Sequence, residues 1–384
     1  MNTEFTAAQD FETTAGHVWL NCAHQGPLPR VAVEEAHEAI LWKTKLHRLK
    51  DEFFAEVPAR LKRALGRLIE VPAEEIILGN SASYGLHLLA NGVRWQPGDE
   101  VLLIKDDFPV DVLPWLALEK RGVRVHLIQP RNHVLQAEEL ESYLTESTKL
   151  LCLTWVHSFN GYTLDAQAVG EVCRAHDVTF VLNCSQALGA RPFSIGTTPV
   201  DAIVGVGFKW LCGPYGTGFC WLRQELLESL DYNQAYWLSA LSPEDLAKEQ
   251  IDYQMPEGLG AVKYDVFDTA NFFNFKPWAA SVEYLLEQGI ERIREHNDRL
   301  VSQLINGLDP EKYIVLSPRT GDARSSLVFV SPKQTNRNRE VHDALTTSGV
   351  HTAMRSGKLR FSPHLYNTDE QIGYALSILA SAGS

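Results

Sequence analysis

The sequence predicts an α/β protein: a mostly parallel β-sheet with helices on both faces, followed by a smaller α+β unit towards the C-terminus. Two observations carry this. Short apolar runs alternate with helix-periodic segments between residues 76 and 206, the rhythm of βαβ units. The runs are continuously apolar, which marks strands buried on both faces. At 384 residues the chain accommodates one large domain and one small one. The expected division is an N-terminal segment 1–16, a large domain 17–275 and a small domain 276–384.

Residues 17–30 read as a short strand entering a Gly/Pro turn, and apolar residues at three- and four-residue spacing predict a long helical stretch from Val31 to about Ile69. Ile76–Leu78 is a short strand running into Gly79-Asn80-Ser81-Ala82-Ser83-Tyr84-Gly85 and then a helical segment. Small hydroxyl residues at a helix start suit capping and equally suit a phosphate, because free N–H groups and the helix dipole attract an anion. The spacing is neither that of a Walker loop nor that of a nucleophile elbow. Strands are then expected at Val101–Ile104, Val123–Ile128, Leu150–Val156, Thr179–Leu182 and Ala202–Val206, with helices at Val112–Lys120 and Leu164–His176. Residues 223–275 are less regular. Their aromatics, Tyr232, Tyr236, Trp237, Tyr253, Phe272, Phe273 and Phe275, suit a pocket wall, a subunit contact or peripheral packing. A long helix, Pro277–Asn306, opens the last part, which continues with strands at Tyr313–Leu316, Leu327–Val330 and Leu359–Ser362 and helices near Arg339–Ser348 and Asp369–Ala382.

Charge and cysteine content narrow the function. With 35 basic and 48 acidic residues the formal charge is −13, which argues against a nucleic-acid or anionic-membrane binder. The polar, acidic start has no secretory pattern, and no apolar stretch is long enough to span a bilayer. The six cysteines are scattered without C-x-x-C or zinc spacing, so reduced thiols in a cytoplasmic protein with no metal site are expected.

Chemistry concentrates at the carboxyl ends of the predicted strands, where open α/β sheets bind ligands. These ends carry Ser81 and Ser83, Asp107-Phe108, His157-Ser158, Asn183-Cys184-Ser185-Gln186, and Lys209. Lys209 lies between Phe208 and Trp210 just past a buried strand, before Gly213, Pro214, Gly216 and Gly218 turn the chain. Burial there disfavours the charged amine and makes a Schiff-base nucleophile. A surface turn with a snorkelling lysine has the same local sequence. No G-x-G-x-x-G follows an early strand, which argues against a nicotinamide dehydrogenase.

In the order and content of these pieces the sequence resembles the class V aminotransferase family, enzymes of fold type I that use pyridoxal 5′-phosphate (PLP). The strongest pieces are Trp19-Leu20-Asn21…Gly26-Pro27-Leu28-Pro29, Pro97-Gly98-Asp99-Glu100-Val101, Gln186-Ala187-Leu188-Gly189, Lys209-Trp210-Leu211-Cys212-Gly213-Pro214 and Arg360…Tyr366-Asn367-Thr368. The Lys-Trp-Leu-Cys piece is closest to the isopenicillin N epimerase-like branch, beside cysteine desulfurases and C–S lyases. The resemblance implies a seven-stranded-type sheet, a homodimer and a small amino acid or amine as substrate. It implies that Lys209 forms the aldimine with PLP, Phe108 stacks on the pyridine ring, Gln186 bonds its phenolic oxygen, near which Ser158 replaces the usual asparagine, Ser83 contacts the phosphate, with Ser81 beside it, and Arg360 grips the substrate carboxylate.

Departures from the family pattern bear on the reaction. The aspartate that pairs with the pyridine nitrogen is replaced by Asn183, and the Ser-x-His before the lysine reads Val206-Gly207-Phe208. No cysteine occurs in 350–358, where desulfurases carry their persulfide thiol. A neutral Asn183 forgoes a charge-assisted hydrogen bond worth about 1.5–3 kcal/mol. On that ground aminotransferase-like chemistry suffers more than β-lyase (C–S lyase) chemistry, and an epimerase-like or non-catalytic descendant is the alternative.

Overall fold

Buried, largely apolar runs line up side by side because each has two faces to bury, and a half-exposed strand, Arg124–Ile128, closes one edge of the sheet. The computed structural model describes residues 7–12, 16–253, 256 and 258–382; residues 1–6 and 13–15 of the expected N-terminal segment lie outside them. In chain order the strands are β1 (Val18–Trp19), β2 (Ile76–Gly79), β3 (Glu100–Ile104), β4 (Arg124–Ile128), β5 (Thr148–Thr154), β6 (Thr179–Asn183), β7 (Ala202–Val206), β8 (Gly218–Leu222), β9 (Tyr313–Val315), β10 (Val328–Pro332), β11 (Val350–His351), β12 (Ala353–Arg355) and β13 (Lys358–Phe361). The central sheet has the order β2-β8-β7-β6-β5-β3-β4. Within it β8 alone runs against its neighbours, and every other pairing is parallel.

Side chains sort between the two faces by parity, as the pleat requires. Val101 and Leu103 of β3 join one core with Leu150, Val181 and Val204, covered by Leu86 and Leu89 of the helix Ala82–Gly92. Leu102 and Ile104 join the other with Leu151, Phe180 and Leu182, covered by Val169 and Cys173 of the helix Ala166–Ala175. Each such buried aliphatic side chain stabilises the fold by roughly 1.5–3 kcal/mol. The sheet is thus held from its interior, and its strand ends are free to carry polar groups.

Three expected helices are divided. The stretch 31–69 forms two helices, Arg30–Thr44 and Phe53–Ile69. Trp42 stacks on Phe53 with ring centroids 4.2 Å apart, a contact that 11 residues of straight helix, about 16 Å long, cannot make. The stretch 277–306 belongs to Phe272–Gln288 and Ile290–Gly307, separated at Gly289, whose φ of 85° no helix interior accepts. Val112–Lys120 holds one α-turn, Leu113–Leu116, followed by a 3₁₀ segment that stops at Gly122.

The last part of the chain forms a four-stranded antiparallel sheet, β12-β13-β10-β9. β1 pairs in parallel with β11, and Asn21 bridges to Ser362. This pairing carries the 22–26 turn to the edge of the central sheet. No described helix is long and apolar enough to cross a membrane.

Candidate active site

The carboxyl ends of β2, β5, β6 and β7 converge on one edge, where the start of antiparallel β8 joins them: Gly218 pairs with both Gly79 and Val206. Past β7 the chain turns tightly, with Gly213 N–H donating to the Gly207 carbonyl at 2.8 Å and Cys212 N–H to the Lys209 carbonyl at 3.1 Å. The 22–26 turn presses on this loop. Gly26 N–H donates to the Phe208 carbonyl at 2.9 Å, and a Cβ at position 26 would stand 2.0 Å from the Lys209 carbonyl oxygen. Only glycine allows this approach, which fixes the Lys209 backbone.

Lys209 is half-buried, with Nζ 5.4 Å from the Phe108 ring centroid and 5.9 Å from that of Phe208. Burial lowers its pKa to about 8; Arg360 pushes the same way and Asp111 opposes it. About a tenth of the amine is therefore free at pH 7, against under about a thousandth for an exposed lysine.

All eight residues singled out in the sequence, Ser81, Ser83, Phe108, Ser158, Asn183, Gln186, Lys209 and Arg360, line one cavity of about 350 Å3. Ser81 is extended at the start of the helix Ala82–Gly92, but its hydroxyl donates to Asn80 Oδ1 instead of capping the helix. The helix start is thus left without a side-chain cap and aims its dipole at the cavity. Close approach of β8 sets this up: a Cβ on Gly218 would lie 2.4 Å from the Ser81 carbonyl carbon. Gln186 is held on three sides, donating to the Ala23 carbonyl (3.2 Å) and Ser158 Oγ (3.4 Å) and accepting from Trp210 Nε1 (3.0 Å). Arg360, on β13, is 2% exposed, and among the described residues its guanidinium makes one hydrogen bond, a long 3.5 Å donation to the Ser158 carbonyl. Its Nε and Nη2 have no partner among the described residues. Burial brings its pKa down to about 9, with Arg355 adding to the effect. A buried guanidinium without a carboxylate is costly unless a ligand anion completes it.

Several lining residues escaped the sequence reading. Asp111, Thr154, His24, Tyr215 and Arg355 also face the cavity. Asp111 sits three residues after Phe108, on the same turn that presents the aromatic ring. It is 1% exposed and accepts from Asn183 Nδ2 at 2.7 Å. Beside Asn183, which stands where the family pattern has an aspartate, there is thus a carboxylate supplied from the segment after β3. Asp107, at the predicted strand end, points away from the cavity and accepts from Thr154 Oγ1 at 2.6 and 2.7 Å. The aromatics of 223–275 do not line the cavity: Phe275 and Tyr236 are buried in packing, and Trp237, Tyr253 and Phe273 are exposed.

One wall of the cavity offers an amine flanked by rings, another an anion-seeking helix start, and a third an uncompensated guanidinium. A planar aldehyde bearing a phosphate matches the first two, and a carboxylate matches the third. The residues present therefore fit PLP together with an amino acid. Val206 and Phe208 line the same cavity at the positions where the family pattern carries two polar side chains.

Comparisons with known proteins agree. The family model for class-V aminotransferases matches residues 29–374. A probable cysteine desulfurase of Methanothermobacter thermautotrophicus is 25% identical over 411 residues, spanning 100% of this chain and 99% of that protein. The isopenicillin N epimerase of Streptomyces clavuligerus is 27% identical over 274 residues, 66% of this chain and 64% of its own. The solved structure of the cystine C–S lyase C-DES in complex with its product, cysteine persulfide, matches with a TM-score of 0.86 at 20% identity, covering 95% of this chain and 98% of that one.

Proposed function

Because this chain belongs to the class-V aminotransferase family, we propose that it is a PLP-dependent enzyme that acts on a small amino acid by β-elimination, as a C–S lyase does. The observation that carries the reading is Lys209 and Arg360 facing one cavity, the guanidinium with no carboxylate beside it among the described residues. When bound, PLP draws electrons from the substrate α-carbon so that its C–H bond can break. Lys209 holds the cofactor covalently, and its lowered pKa suits the same amine to move the α-proton. Arg360 takes the substrate carboxylate in a bidentate grip that fixes which bond at the α-carbon faces the ring. Phe108 covers the ring, and Gln186 and Ser158 hold its phenolic oxygen.

None of the six cysteines lines the cavity, and all six are buried. Sulfur leaving the substrate therefore departs as a small molecule and is not passed to an enzyme thiol. Product analysis tests this: the enzyme with L-cysteine or cystine should yield pyruvate and ammonia. Alanine as the product would instead indicate desulfurase chemistry, and conversion of added keto acids to amino acids would indicate transamination.

The exposed Tyr253, Phe267 and Phe273 fit a homodimer contact, and six buried unpaired thiols fit the cytoplasm.

A further inference from the structure

Asp111 is the only carboxylate among the residues lining the cavity. It is 1% exposed, and among the described residues no salt bridge reaches it. One oxygen accepts from Asn183 Nδ2 at 2.7 Å. The other has only a 3.5 Å contact with Thr154 Oγ1. That hydroxyl has one proton, and Asp107 takes it at 2.6–2.7 Å. Thr154 therefore positions the second oxygen of Asp111 without satisfying it. Asn183 is oriented from both ends, since its Oδ1 accepts from Ser185 N–H at 3.0 Å while its amide nitrogen donates to Asp111.

A buried carboxylate with one hydrogen bond and no cation is expensive. Burial and the neighbouring Asp107 push its pKa well above the usual carboxylate range, with Asn183 and Lys209 opposing. Cys152 is the other titratable group affected by Asp111, and burial keeps that thiol protonated. A cationic ligand group placed against the free oxygen removes the penalty. Lys209 claims the aldehyde carbon of PLP, and the pyridine nitrogen stands opposite that carbon on the ring.

We propose that Asp111, aimed by Asn183 and Thr154, is the acid that faces the pyridine nitrogen of PLP and keeps it protonated. The acid has moved from the end of β6 to the turn after β3, and Asn183 has become the residue that orients it. This rests on the reading of Lys209 as the PLP lysine. If it holds, the ring keeps its full electron-withdrawing power, and Asn183 gives no reason to rank elimination above transamination.

The test is nitrogen NMR of the holoenzyme reconstituted with PLP labelled with 15N in the ring, alongside borohydride trapping of the cofactor on Lys209. The wild type should show a protonated ring nitrogen. Asp111→Asn should trap PLP on Lys209 as before but show an unprotonated nitrogen, with kcat/KM lower by roughly ten- to hundredfold. Asp111→Asn combined with Asn183→Asp should restore the protonated signal. A protonated nitrogen in Asp111→Asn, or an unprotonated one in the wild type, overturns the proposal while leaving the trapped lysine intact. Absence of trapping in the wild type overturns the reading of Lys209 and the proposal with it. An unprotonated wild-type nitrogen overturns the proposal whether or not the variants fold.

Discussion

Lys209 is a residue the fold tolerates rather than favours. Its pKa falls from 10.5 to about 8, so below pH 8 the folded protein holds a charge that the unfolded chain carries more cheaply. The unfolded state binds more protons between pH 8 and 10.5, and stability contributed by this group therefore rises with pH across that window. Replacing Lys209 with Met should stabilise the cofactor-free protein at pH 7, by at most about 3 kcal/mol, and raise its melting temperature accordingly. The gain should shrink through the window and vanish above pH 10.5; a gain independent of pH would mean that the amine is not desolvated. Arg360 gives a second contrast. Arg360→Met removes an unpartnered buried charge, so thermal stability should hold or rise, while kcat/KM falls roughly ten- to hundredfold through KM for the amino acid. A large loss of stability with unchanged KM would make Arg360 structural. These two residues were legible in the sequence because lysine and arginine beside family motifs are conspicuous. Asp111 was not, because its approach to Asn183 spans 72 positions of sequence and depends on the register of β3, β5 and β6.

At the scale of elements, two close approaches determine the site. Gly218 lets the start of β8 rest on Ser81. Gly218→Ala should displace the uncapped helix start and weaken PLP binding roughly tenfold or more, about 1–2 kcal/mol, as read by titration of cofactor fluorescence; unchanged affinity would remove this helix start from the phosphate site. The irregular stretch after β8 is held differently. Lys62 of the helix Phe53–Ile69 pairs with Asp265 at 2.7 Å, and Asp265 also accepts from Leu78 N–H of β2 at 2.8 Å. Asp265→Ala leaves Lys62 buried and unpaired and should cost about 3–5 kcal/mol in urea denaturation; a cost below about 1 kcal/mol would contradict the pairing. Apolar periodicity exposed the inner strands of the central sheet well, since each is buried on both faces, whereas the edge strand β4 leaves three of its five residues exposed. It ran the helices together, because the breaks at Gly289 and between Trp42 and Phe53 come from tertiary contact and backbone freedom while the apolar pattern continues across them.

At the scale of the whole molecule, the chain places residues from its N-terminal turn, its central sheet and its C-terminal sheet around one cavity: His24, Lys209 and Arg360 are each carried by a different part. The exposed aromatics of 253–273 lie away from that cavity, and sedimentation should find a species of twice the chain mass if they form the dimer contact; a monomer at micromolar concentration would contradict it. The central claim is that Lys209 holds the cofactor, and one measurement reaches it directly. Protein incubated with PLP, reduced with borohydride and digested should carry a phosphopyridoxyl group on the peptide containing Lys209, and Lys209→Ala should carry none. A label on another lysine, or equal labelling of the variant, would contradict the account.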